Sequence, residues 1–427
     1  MQISYASCTI QVPIRVVKGM FKDIYTRRFY LDKIRGFYKS DLIKVITGIR
    51  RCGKSCFLKS VMNDLEAQGI APEDIIYIDL DRHGFKSIKT ADALETVITK
   101  QITDTSYKYI FIDEIQNVQD FETVINAFRE EGSCSIFITG SNSYLLSGEL
   151  VTKLTGRYIE IELFTLNFHE YLEMKHFLGK QTGNIMAEFT EYINNGGFPK
   201  TLEFDSVADR ELYLDSIIQQ IIHRDIKQRC KIRNRSVFEK LMYYLFNNFG
   251  APVSLTNILN YFNKQEKIAI QPETVNRYME ILKNAKLLYK CPRFDTKSKK
   301  ALHFEQKYYL ADLSICYANN VDHRINYGPV LENVLYTYLR SKGYLLSTGK
   351  VGQLECDFIA RKNTEYCYIQ VSMSIADKTV EDREYRPFTA IKDNYPKYLF
   401  TLDPLLQKRD GIIHKNLADF LASDSEL

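Results

Sequence analysis

Short apolar, β-branched runs recur through the first 165 residues, at 42–46, 75–80, 109–112, 135–139 and 158–161. Between most of them lie stretches with apolar residues at helical spacing, at 27–34, 56–62, 91–101 and 121–129. Continuous apolar runs of this length suit strands buried on both faces. Their alternation with helices predicts an α/β fold with a mainly parallel sheet. The pattern sets a first domain at 20–165, after an N-terminal tail at 1–19. The tail is mildly apolar and reads as loose chain or product of an upstream start codon, with Met20 the other start; an extra edge strand is the alternative. Beyond Leu163 the texture turns helical up to Asp225, broken by the turn Asn194-Asn195-Gly196-Gly197-Phe198-Pro199. A helical lid at 166–230 is expected. Tyr213 to Ile226 reads as one helix, and His223 near its end is given no role.

The first run leads into Gly48-Ile49-Arg50-Arg51-Cys52-Gly53-Lys54-Ser55 and then a helical segment starting at Cys56. This is G-x-x-x-x-G-K-S in its strand–loop–helix setting, the phosphate-binding P-loop. Gly48 and Gly53 let the backbone curl so that N–H groups face a phosphate, and the helix adds its positive end. Residues Gly48, Ile49, Arg50, Arg51, Cys52, Gly53, Lys54, Ser55 and Cys56 are therefore expected to cradle nucleotide. Lys54 would reach the β/γ-phosphates and Ser55 would ligate Mg²⁺.

The third run ends in Asp113-Glu114, the Walker B pattern, in which a buried strand delivers two carboxylates at its C-terminal end. Asp113 is the expected Mg²⁺ ligand and Glu114 the general base for the attacking water. Arg157 precedes a further strand. It is read either as a group that stabilises transition-state charge, in its own subunit or a neighbour's, or as a structural ion-pair residue.

From 231 to 322 the order is helix (237–246), helix from 253 with Ser254 as N-cap, helix (272–282), then strands at 287–291 and 304–310. Three helices and a β-hairpin form the winged-helix order. A DNA-binding version would present Asn276, Arg277 and Lys283 on its third helix and Arg293, Lys297, Lys299 and Lys300 on the wing. The alternative is a protein-interaction or structural unit with a solvated basic loop. From 323 to 427, a helix with Glu332 precedes strands carrying Asp357 and Gln370-Val371-Ser372. This is the layout of a PD-(D/E)xK nuclease, with Gln for the second carboxylate and Ser for the lysine. The expectation is a small restriction-endonuclease-like α/β domain without catalysis, unless a migrated lysine such as Lys350 restores it.

Composition changes this picture little. Of the 427 residues 45% are apolar and 26% charged, as in globular proteins with real cores, and the net charge of +4 is too small to imply nucleic acid by itself. The nine cysteines show neither zinc spacing nor a disulfide framework and suit a reducing cytoplasm. No apolar run has membrane-spanning length, and no signal-peptide pattern opens the chain.

The P-loop with its Arg-Arg pair, Ile112-Asp113-Glu114-Ile115-Gln116, Thr139-Gly140-Ser141-Asn142-Ser143, Gly156-Arg157-Tyr158, Gly196-Gly197-Phe198-Pro199 and Ile369-Gln370-Val371-Ser372 together resemble a family of bacterial and archaeal AAA-type ATPases with a C-terminal domain of unknown function. The resemblance runs from about residue 20 to the end and implies binding and hydrolysis of ATP with Mg²⁺, without a cellular role. It also implies a polar sensor at the end of the fourth strand, near the γ-phosphate. Asn142 is the first choice, with Thr139 and Ser141 as alternatives. The expected function is an ATP-driven switch or motor, with DNA, a protein partner or a second copy of the chain as candidate partners. An ATP-gated nuclease and a non-hydrolysing nucleotide-binding regulator are the rivals.

Overall fold

The computed structural model describes residues 21, 23–140, 156–227, 232–295, 297–298, 300–317 and 326–427. The tail at 1–19, Lys299 and the sensor candidates Ser141 and Asn142 lie outside them. The chain divides into two compact units, Met1–Gly48 with Gly53–Leu163, and Ile49–Cys52 with Phe164–Leu427.

The first unit is an α/β sandwich on a five-stranded sheet of order β2-β3-β4-β1-β5. The strands are β1 (Ile43–Gly48), β2 (Ile75–Asp79), β3 (Lys108–Asp113), β4 (Cys134–Thr139) and β5 (Tyr158–Leu163), and every pairing is parallel. Helices α1 (Arg28–Arg35), α2 (Lys54–Ala67), α3 (Ala91–Gln101) and α4 (Phe121–Glu131) accompany them. Each of β1, β3 and β4 is buried along its whole length, as the apolar runs required. Ile43, Val45, Ile76, Ile78, Ile110 and Ile112 share one core with residues of α3 and α4 such as Leu94, Val97 and Ile125. Two buried strand positions of this sheet carry lysine. Lys44 satisfies its ammonium on Ser135 Oγ at 2.7 Å and the Ser40 carbonyl at 2.6 Å, and Lys108 pairs with Asp74 at 2.8 Å.

The second unit opens with α5 (Phe168–Phe177), whose first turn is closed by a reciprocal capping box between Asn167 and Glu170. Then follow α6 (Ile185–Asn195) and α7 (Val207–Gln220). The single helix expected up to Ile226 is instead α7 followed by a π-helical turn, Ile221–Lys227. The wider turn keeps Ile221, Ile222 and Ile226 buried together.

The Gly196-Gly197 turn has a specific partner. Asp312 Oδ2 accepts the Gly197 N–H at 2.8 Å, while Oδ1 accepts from the N–H and hydroxyl of Ser314. A Cβ on Gly196 would stand 2.0 Å from Asp312 Oδ1, and one on Gly197 2.2 Å from the Leu166 carbonyl oxygen.

Helices α8 (Arg235–Asn247), α9 (Leu255–Lys264) and α10 (Pro272–Asn284) come next, with Ser254 capping α9. Strands β7 (Leu288–Asp295) and β8 (Lys300–Leu310) form the hairpin, with β6 (Pro252–Val253) on its outer edge. The hairpin does not stand free. β7 also pairs in parallel with β9 (Leu345–Val351), so one nine-stranded sheet of order β13-β14-β12-β11-β10-β9-β7-β8-β6 runs through this unit. Its other strands are β10 (Leu354–Lys362), β11 (Glu365–Val371), β12 (Lys397–Thr401), β13 (Lys408–Arg409) and β14 (Ile412–Asn416). Helices α11 (Tyr327–Ser341), α12 (Lys378–Ala390) and α13 (Leu417–Ala422) complete it.

Candidate nucleotide site

The order of the first sheet builds the site. Because β4 separates β1 from β3, the P-loop strand and the acidic strand end with one polar strand end between them. Ile46 is in register with Thr139, and Ile112 with Ile138. Gly48, Asp113 and Thr139 therefore lie at the same C-terminal edge, the edge at which open α/β sheets take ligands.

Gly48 and Gly53 adopt φ of 139° and 103°, values that L side chains rarely tolerate, so glycine is needed at both ends of the loop. Arg51 also lies in the left-handed region, at φ 69°. Gly53 then precedes α2 directly, and its carbonyl accepts the Phe57 N–H at 2.9 Å. Lys54 is buried, and its Nζ donates to the Gly48 carbonyl at 3.0 Å. Cys56 sits exposed in the first turn of α2.

Asp113 is 2% exposed. Burial pushes its carboxyl up from the ordinary range, opposed by hydrogen bonds from the Ser55 and Thr139 hydroxyls and by the Lys54 charge. The expected pair of metal ligands, Ser55 and Asp113, is thus joined directly, with Lys54 close enough to act on the same carboxylate. Oxygen donors of this kind suit Mg²⁺. The Tyr77 hydroxyl reaches the other Asp113 oxygen at 3.4 Å. Glu114 turns out of the strand at φ 57°, its N–H donates to Thr139 Oγ1 at 2.9 Å, and its carboxylate accepts from the Gln116 amide.

Thr139, one of three sensor candidates, bonds to both residues of the acid pair. Tyr77 and Gln116 are not among the site residues that the sequence points to. A tyrosine in a strand and a glutamine after the acidic pair carry no local signal of this role.

Of the readings of Arg157, action on its own subunit's phosphate is not supported by its position. The Ile43 N–H donates to its carbonyl at 2.9 Å, and Tyr158 opposes Ile43 at the start of β1. Arg157 thus sits at the N-terminal edge of the sheet, while Gly48 ends the same strand five residues on, roughly 16 Å away at the usual rise per residue. It cannot act on phosphate held by its own P-loop. Its guanidinium is 3.7 Å from Glu130, and the two side chains are 44% and 60% exposed, so the pair is weak.

Arg293 is also placed differently from expectation. It pairs with Glu305 and, at 3.5 Å, with Glu355, and its side chain is 12% exposed. Lys283 is paired with Glu280 on its own helix at 2.8 Å. Asn276 and Arg277 are exposed on α10.

A family profile described as "AAA domain" matches residues 40–172, and one described as "Domain of unknown function (DUF8612)" matches 186–323. An uncharacterized protein of Haemophilus influenzae is 34% identical over 383 residues, 90% of this chain and 94% of its own length. The uncharacterized protein MJ1544 of Methanocaldococcus jannaschii is 30% identical over 366 residues, 82% of this chain and 79% of its own length. Among solved structures, the Walker-type ATPase PABY2304 of Pyrococcus abyssi superposes with a TM-score of 0.51 at 13% identity, covering 70% of this chain and 96% of that one. At that identity the likeness concerns the fold.

The first unit is an AAA-type P-loop domain. The chain belongs to the family of the Haemophilus and Methanocaldococcus proteins. Among the described residues no helix is long and apolar enough to cross a membrane.

Proposed function

We propose that the first unit binds ATP with Mg²⁺ and hydrolyses it, and that the chain is a nucleotide-driven switch. The observation that supports this most directly is the convergence of Lys54, Ser55, Asp113 and Thr139 at one edge of a parallel sheet. Ser55 and Asp113 would hold the Mg²⁺, which neutralises phosphate charge when bound. Lys54 would release the Gly48 carbonyl for the β/γ-phosphates. Glu114 would orient the attacking water and accept its proton as the water oxygen bonds to the γ-phosphorus and the β–γ bridge breaks. Thr139 would hold the two acids in register. Arg157 is left with a neighbouring copy's site or its surface ion pair.

In the second unit we read α8–α10 with the β7–β8 hairpin as a winged-helix arrangement. Asn276, Arg277, Lys297 and Lys300 are its candidates for nucleic-acid contact. We read α11 with β9–β11 as a nuclease-like arrangement, with Glu332, Asp357 and Gln370 in the motif positions.

A fluorescent ATP analogue titrated into the wild-type chain and Lys54→Ala tests the central reading. Wild type should bind with Mg²⁺ and the variant should lose most of its affinity. Equal affinity would exclude this P-loop as the nucleotide site.

A further inference from the structure

A nuclease-like layout implies a divalent metal between its carboxylates. The residues present do not fit one. Gln370 uses both ends of its amide, Oε1 accepting the Asp357 N–H at 2.7 Å and Nε2 donating to Glu384 at 2.9 Å. Asp357 Oδ2 accepts the Val371 N–H at 2.8 Å. Ser372 stands where the layout has its lysine, and its hydroxyl donates to the Ser374 carbonyl at 3.4 Å. Among the described residues no three His, Cys, Asp or Glu side chains are gathered so that they could hold a metal ion.

A cation is nevertheless present. Lys307, on β8 of the hairpin, is 4% exposed. Its ammonium is 3.0 Å from Glu332 Oε2 on α11 and 3.1 Å from Glu355 Oε1 on β10. Tyr309, two residues along the same strand, donates its hydroxyl to the same Glu332 oxygen at 2.7 Å. Burial works against the Lys307 charge, but Glu332, Asp357 and Glu355 outweigh it and hold its pKa above that of an ordinary lysine. Burial and the Glu332 charge push the Asp357 carboxyl well up. The Lys307 ammonium thus stands among the cluster's carboxylates, bonded directly to two of them.

We propose that Lys307 is the resident cation of this cluster, so that the C-terminal elements bind no catalytic metal and cleave no nucleic acid, and the ammonium instead fastens the hairpin to α11 and β10. The inference rests on the nuclease-like reading above. It answers the migrated-lysine question with a residue from the hairpin rather than Lys350, and gives that lysine a structural duty. Removing one partner of such a pair strands the other charge in a buried place, whereas removing both does not.

The full chain, without nucleotide, is titrated with Mn²⁺ as wild type and Asp357→Asn, and melting is followed for Lys307→Met, Glu332→Gln and the double variant. We expect no stoichiometric Mn²⁺ binding that depends on Asp357. We also expect Lys307→Met to melt several degrees lower and Glu332→Gln to restore part of the loss. Mn²⁺ binding that disappears in Asp357→Asn would overturn the proposal while leaving the nuclease-like layout standing. Strictly additive effects of Lys307→Met and Glu332→Gln would overturn the fastening role given to the ammonium. The wild-type titration decides the metal question even if Lys307→Met fails to fold.

Discussion

The Thr139 hydroxyl donates a hydrogen bond to the Asp113 carboxylate. The same oxygen accepts the Glu114 N–H, so one side chain on β4 holds both acids at the end of β3. Thr139→Val keeps the shape and removes both bonds. We expect kcat to fall by about 10²-fold, the scale on which misplacing a reacting group by an ångström is felt, with KM little changed. Thr139→Ser should recover most of it. A Thr139→Val enzyme with wild-type kcat in steady-state ATP turnover would remove Thr139 from the site.

Asp113 sets a pH dependence of stability. Burial leads the causes that raise its folded-state pKa above the unfolded value, so the folded chain holds the proton more tightly. Stability without nucleotide should therefore fall as pH rises out of the ordinary carboxylate range, and level off above the raised pKa. Asp113→Asn should lack this term. Melting curves over pH should show the variant gaining on wild type as pH rises through that window. A variant that loses ground to wild type as pH rises through that window contradicts the assignment.

The Gly196-Gly197 turn, legible in the chain as a turn, is a socket for Asp312. Gly197→Ala would drive a methyl into the Leu166 carbonyl oxygen. A cost of about 1–3 kcal/mol is expected, as for other forced overpacking, seen as a lower urea midpoint. An unchanged midpoint would mean that the backbone moves aside freely.

Arg157 lies at the opposite sheet edge from the P-loop of its own unit. Arg157→Ala should leave ATP-analogue affinity unaltered in dilute protein, where copies are separated. A loss of affinity there would bring Arg157 back to its own site.

How much could be read beforehand follows from what kind of information each feature needs. The runs of Val and Ile around Lys44 and Ile110 announce buried strands locally, and the Gly48–Ser55 spacing announces its own geometry. Strand order does not. That Thr139 holds the acid pair depends on β4 lying between β1 and β3, a relation no local pattern contains. Partners distant in sequence were equally hidden. Asp312 is 115 residues from Gly197, and Lys307 is 25 from Glu332. A basic residue in a hairpin reads as a wing cation for phosphate contact or as a solvated one, and Arg293 carries both readings. Both residues are instead paired with carboxylates, Arg293 with Glu305 and Glu355, Lys307 with Glu332 and Glu355.

The most direct test of the account is ATP turnover by Glu114→Gln beside wild type, with nucleotide binding measured on the same samples. The substitution keeps the shape and the Gln116 contact region while removing the base. Bound ATP should be retained, and phosphate release should fall by roughly 10²–10⁴-fold, the range of a general base. Release at the wild-type rate from the Gln variant would contradict the reading of this domain as a hydrolase built on Asp113 and Glu114.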